Sequence, residues 1–196
     1  MKYIQKNLAN ILTCARMVLL PFMVALFYME ASWGAWAAWF CFVLYAVCAI
    51  TDYFDGYVAR RYDQITPLGT FLDPISDKIF VGTLLILLVA FGRINGLWII
   101  LVLLIFAREF MVSGLREFLG PQNVTMPVTF MAKWKTTVQM VATGFLILGP
   151  HAPLGTEIGL IALLIAAVLT LVTGTQYLTK ALPHILSNDS SSSIGE

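Results

Sequence analysis

The residues best placed to do chemistry are four aspartates within one stretch, DYFDGYVARRYDQITPLGTFLDPISD, which runs from Asp52 to Asp77. The stretch holds five of the chain's eleven acidic residues and joins its second and third apolar runs. If the second run continues as a helix to Arg60, then Asp52, Asp55, Gly56 and Ala59 share one face at i, i+3, i+4 and i+7. Gln64 to Pro67 break that helix. Asp73-Pro74 reads as a helix start or local kink, with Asp77 one turn beyond Asp73. Two antiparallel neighbours joined this way point four carboxylates at one another. A solvated loop face suits Asp63, but it suits the others poorly, because Asp52 and Asp55 follow directly on the apolar Val47-Cys48-Ala49-Ile50.

Convergent anions at a membrane need a compensating partner. Each Asp costs roughly 2.5–3.5 kcal/mol at the centre of a span, before mutual repulsion is added. Arg60, Arg61 and Lys78 offset part of this, and hard divalent cations offset it better. An oxygen-only donor set suits Mg2+ or Mn2+. Two such ions about 3.5–4 Å apart form the usual clamp for displacement at phosphorus. Gly56 and Ala59, on the aspartate face, and Gly69, at the turn into the third helix, remove side-chain bulk beside the acids. That lets a flat or phosphorylated ligand approach the backbone, although small residues also serve helix packing in membranes.

The elements that must position these residues are apolar. Of 196 residues, 59% are hydrophobic and 12% charged, and mean hydropathy is +0.84. Soluble domains carry about 25% charged residues. Apolar runs at about residues 8–29, 34–60, 69–91, 95–118, 128–149 and 156–180 predict six transmembrane helices in an all-α polytopic protein, since long continuous runs favour helices over a barrel. Arg16 interrupts the first run, and with five more runs following, a span fits better than a cleaved leader. With the N-terminus inside, every lysine and arginine except Arg93 falls on the cytoplasmic side, so both termini and the acid cluster face the cytoplasm. Residues 1–7 read as a short interfacial helix. Residues 1–186 read as one membrane domain, and residues 187–196, rich in serine, as a disordered polar tail. A net charge of +1 gives no bulk signal for nucleic acid. Cys14, Cys41 and Cys48 read as small core residues. His151 and His184 read as surface residues, and Trp33, Trp36, Trp39 and Trp98 as parts of an interfacial belt.

Asp52, Asp55, Gly56, Ala59, Arg60, Gly69, Asp73 and Asp77 fit D-x2-D-G-x2-A-R-x8-G-x3-D-x3-D without a gap. This pattern resembles the signature of the CDP-alcohol phosphatidyltransferases. The resemblance implies a six-helix CDP-alcohol phosphotransferase fold, a homodimer, and an active site at the cytoplasmic face of a bacterial inner membrane. It implies that Asp52, Asp55, Asp73 and Asp77 surround two metal ions and that Asp77 is the catalytic base. Gly56, Ala59, Arg60 and Gly69 become the wall for the CDP-lipid.

Further segments resemble the phosphatidylglycerophosphate synthase branch of that family. Asn10 to Arg16 matches its N-x-L-T-x-x-R opening, which adds Asn10 and Thr13 to the CDP-lipid contacts and leaves open whether Asn10, Thr13 and Arg16 touch nucleotide or only pack. Ala107-Arg108-Glu109, Gly114-Leu115-Arg116-Glu117 and Lys133-Trp134-Lys135-Thr136 with Gln139-Met140 match later segments. Arg108 and Arg116 lie about two turns apart on one helix face, with Lys133 and Lys135 opening the next helix from the same side. Such cations suit an anionic acceptor, although cations at cytoplasmic helix ends are expected on topology alone. Glu109 or Glu117 is available as a structural partner for Arg108. The implied reaction moves the phosphatidyl group of CDP-diacylglycerol to sn-glycerol 3-phosphate, giving phosphatidylglycerol phosphate and CMP among membrane lipids. A cardiolipin synthase of the CDP-alcohol type is the alternative within the family. A divalent-cation carrier is the alternative of another class, but its acids would be spread through the membrane depth.

Overall fold

The computed structural model describes residues 8–61, 67–120 and 130–192. Within these, the side chains of 8–13, 52–61, 67–71, 73, 74, 184 and 186–192 lie outside the description. Among the described residues the chain is all-helical. Six α-helices follow in order: α1 Leu8–Trp33, α2 Ala35–Arg61, α3 Pro67–Ala90, α4 Trp98–Leu119, α5 Phe130–Leu148 and α6 Gly155–Ser192, with a 3-10 turn at Gly149–His151 before α6. Each helix lies on one of the six apolar runs. Helix α3 begins at Pro67 rather than at Asp73-Pro74. Proline is tolerated in a first turn, where its missing N–H leaves no bond unmade, so Asp73 and Asp77 both sit inside an established helix. Helix α6 extends through Ser192 into the segment whose composition reads as a polar tail. Residues 1–7, read as an interfacial helix, lie outside the described residues.

By its internal contacts the chain divides into two compact units, Met1–Asn95 with Met140–Leu160, and Gly96–Gln139 with Ile161–Glu196. In the first unit α1 packs against α2 and α3. The α2 stripe Ala38, Cys41, Tyr45 and Cys48 is buried at near-heptad spacing. Its small members permit close helix approach, the packing mode that works where lipid is the solvent. Cys41 and Cys48 are core residues as the sequence suggests, whereas Cys14 is exposed. From α3, Leu84, Leu85 and Leu88 are fully buried. In the second unit the corresponding core is built on Ile105, Leu119, Leu163 and Ala166.

The outward faces are apolar as well. Phe22, Trp36, Phe40, Val47 and Ile50 on α1 and α2 are all more than 50% exposed. A helix that is hydrophobic all round belongs in a bilayer. Among the described residues, three helices are long and apolar enough to cross a membrane: Cys14–Trp33, Trp98–Leu119 and Gly155–Pro183. Ala35–Thr51 is a shorter apolar segment.

One end of the first unit is tied by ions. Glu30, at the end of α1, accepts a hydrogen bond from the Arg93 guanidinium, and His151 Nε2 lies 2.7 Å from the same carboxylate oxygen. Arg93 also donates to the Leu148 carbonyl at 3.3 Å. Gly149 has φ +49°, and a methyl group there would overlap the Arg93 guanidinium, so only glycine suits both the backbone and the space. His151, which reads from sequence as a surface residue, is instead half-buried in one knot with Glu30 and the buried Arg93.

Candidate active site

Helix α2 is continuous through Arg61. Its backbone therefore carries Asp52, Asp55, Gly56 and Ala59 on one face, at the spacing the sequence predicts. Helix α3 places Gly69 in its first turn, and Asp73 and Asp77 one turn apart on a common face. The side chains of Asp52, Asp55, Ala59, Arg60 and Asp73, and those of Asn10 and Thr13, lie outside the described residues, as do Asp63 and the other residues of 62–66.

Asp77 is the acid of the set whose side chain is described. Its Oδ1 accepts a hydrogen bond from Arg16 Nη1 at 2.7 Å. The Asp77 side chain is 60% exposed and that of Arg16 only 6%. The Arg16 guanidinium carbon stands 6.0 Å from the centre of the Phe80 ring. Phe80 stacks on Tyr45 with centroids 6.0 Å apart and planes 2° from parallel. The Tyr45 hydroxyl donates to the Met140 carbonyl at 3.0 Å. A buried aromatic stack thus backs a buried cation, which in turn holds an exposed carboxylate.

The second unit gathers the cations read as acceptor ligands. Arg108 is buried; its Nη1 donates to Glu109 Oε1 at 3.1 Å and its Nη2 to Thr173 Oγ1 at 3.2 Å. Lys135, also buried, donates to the same Glu109 oxygen. The Tyr177 ring lies between two cation contacts, with the Arg108 guanidinium carbon 5.5 Å and that of Arg116 5.3 Å from its centre. Arg116 also donates to the Tyr177 hydroxyl at 3.1 Å. Arg108 and Arg116 share a face as their spacing predicts. Arg116 and Lys133 are exposed, so two of the four cations are open and two are shared with Glu109. Gly174 gives Arg108 room, since a methyl there would meet its Cγ at 2.9 Å. Arg108 Nε is buried without a hydrogen-bond partner among the described residues.

Sequence reasoning anticipated Glu109 as a partner for Arg108 but missed that Lys135 shares it. Thr173 and Tyr177 were also missed. The available signal was their i, i+4 spacing on α6, which puts two polar-tipped side chains on one face of an apolar helix.

Comparison with known proteins then decides the family. The family model for CDP-alcohol phosphatidyltransferase matches residues 6–172, which include every position of the aspartate signature. This chain belongs to the CDP-alcohol phosphatidyltransferase family. Within the family it is similar to the CDP-diacylglycerol–glycerol-3-phosphate 3-phosphatidyltransferase of Rickettsia prowazekii (strain Madrid E), with 45% identity over 89% of this chain and 94% of the relative. The enzyme of the same name from Cereibacter sphaeroides is 37% identical over 91% of this chain and 97% of its own length. That from Shigella flexneri serotype 5b is 36% identical over 93% and 98%. Membership sets aside the cation carrier and makes the chain a phosphatidyltransferase. Enzymes of the family generally use divalent metals, and four aspartates from two helix faces are a hard-oxygen donor set that fits such an ion.

Proposed function

We propose that this protein transfers the phosphatidyl group of CDP-diacylglycerol to sn-glycerol 3-phosphate, forming phosphatidylglycerol phosphate and releasing CMP. The observation that carries the reading is 45% identity, spanning nearly the full length of both chains, to an enzyme named for that reaction.

The chain works as a homodimer in the bacterial inner membrane. Six spans leave both termini and the active site in the cytoplasm. Asp52, Asp55 and Asp73 hold two divalent ions, Mg2+ or Mn2+, with Asp77 beside them. When bound, these ions supply charge neutralisation at the diphosphate and at the reacting phosphorus. Gly56, Ala59, Arg60 and Gly69, with Asn10 and Thr13, receive the CDP-lipid. Arg108, Arg116, Lys133 and Lys135 receive the acceptor's phosphate, for which several fixed cations suit a dianion. Asp77 takes the proton of the acceptor hydroxyl. That oxygen forms a new bond to the lipid-bearing phosphorus as the bond to the CMP oxygen breaks. The exposure of the Asp77 carboxylate fits this role, because a base must be reachable by the hydroxyl. Positioning and electrostatics are the sources of rate.

The test is CMP release from CDP-diacylglycerol by the purified chain with Mg2+ or Mn2+. Release that depends on glycerol 3-phosphate is expected. Release only with phosphatidylglycerol would replace the acceptor with that of a cardiolipin synthase. No release with any acceptor would end the enzyme reading.

A further inference from the structure

We infer that Arg16 is a positioning residue for Asp77, fixing the direction of its carboxylate toward the acceptor hydroxyl; this rests on the proposed role of Asp77 as the base. The N-terminal motif leaves the part played by Arg16 open, between touching nucleotide and packing. Its contacts point to a third role. The guanidinium comes from α1 and meets a carboxylate on α3, sixty-one residues away, at 2.7 Å. The two partners differ sharply in burial, 6% against 60%. The buried member is the one held from behind, with Phe80 beside its guanidinium and Tyr45 stacked on Phe80. Phe80 lies three residues after Asp77, on the same side of α3. One helix therefore supplies both the aromatic ring near the arginine and the acid the arginine binds.

This geometry restricts Asp77 more than Arg16. A half-exposed aspartate otherwise samples several rotamers. One bond to a fixed donor removes that freedom, and a base held in direction brings its oxygen to the hydroxyl without a search. Partners of this outer kind typically change activity by about 10–100-fold when removed.

A purely structural ion pair would give a different result. Replacing a buried arginine by an apolar residue of similar length removes a buried charge, and a membrane-spanning helix tolerates that. Arg16→Met and Arg16→Lys are therefore compared with the full-length wild type in detergent or nanodiscs. Four quantities are read: kcat, KM for CDP-diacylglycerol, Mn2+ affinity without substrate, and thermal unfolding. Arg16→Met is expected to lose about 10–100-fold in kcat, while KM, Mn2+ affinity and the unfolding temperature stay near wild type. Arg16→Lys, which keeps a donor, is expected to recover a large part of kcat. Full kcat in Arg16→Met would overturn the inference. So would a loss of Mn2+ affinity or a rise in KM as large as the loss of kcat, because Arg16 would then serve metal or nucleotide. Should Arg16→Met fail to fold, full kcat in Arg16→Ala, which also lacks the donor, would make the pair structural and likewise overturn it. A wild type that releases no CMP removes the proposed function, and the role of Arg16 with it.

Discussion

Among its described residues the first unit contains two arginine–carboxylate pairs of the same chemistry and opposite accessibility. Arg93 and Glu30 have side-chain exposures of 8% and 18%, with His151 closing on the same oxygen. Arg16 and Asp77 have 6% and 60%. In both, a buried arginine meets an acid from a distant helix. The acid's exposure differs, and so does the histidine that meets Glu30. A largely buried carboxylate that meets arginine and histidine on one oxygen holds chain segments together. A carboxylate that meets a buried arginine and still stays 60% exposed is restrained yet reachable, which is what a proton acceptor requires. Ion pairing alone therefore does not mark a functional acid.

Substitutions at the two pairs should diverge. The largest effect is expected for Asp77→Asn, which should lower kcat by roughly 10^2–10^4-fold. It should spare Mn2+ binding more than Asp55→Asn does; equal loss of metal in both variants would remove the assignment of Asp77 as base. At the closed pair the damage should be to stability instead. Arg93→Ala strips a half-buried glutamate of its main partner and should cost about 3–5 kcal/mol, measured by chemical unfolding in detergent. The kcat of the folded fraction should stay near wild type. A turnover defect without loss of stability would place Arg93 in the chemistry and erase the contrast.

The second unit offers an intermediate case, because Glu109 is shared by two buried cations. Glu109→Gln should leave Arg108 and Lys135 without the negative charge they share. The expected result is a rise of about tenfold in KM for glycerol 3-phosphate, with a smaller change in KM for CDP-diacylglycerol. An equal rise for both substrates would show that Glu109 supports the whole fold. The smallest effect is expected for His151→Ala. It removes one of the two side-chain partners of Glu30 among the described residues and should cost about 1 kcal/mol, with turnover unchanged in the CMP assay.

Much of this architecture was legible beforehand. The six helices lie on the six apolar runs because a long continuous apolar run is a local signal read segment by segment, and among the described residues three of them are long and apolar enough to cross a membrane. The faces shared by Asp52, Asp55 and Gly56, and by Arg108 and Arg116, follow from helical periodicity alone. Errors arose where a local signal had two meanings. Asp73-Pro74 reads as a helix start or a local kink, and the first of these roles is filled by Pro67 six residues earlier. Cys14, in an apolar run like Cys41 and Cys48, faces outward because a helix that is apolar on all sides gives no hint of which side is packed.

From the amino-acid order alone came the membrane class, the aspartate faces and the family, all carried by short-range spacing and composition. Which basic side chain meets which acid was decided only by the tertiary structure. Arg16 reaches Asp77 across sixty-one positions, Arg93 reaches Glu30 across sixty-three, and His151 reaches the same glutamate across one hundred and twenty-one. Pairing in a low-dielectric interior depends on distance and desolvation, and neither is recorded in the order of the chain until the helices have packed.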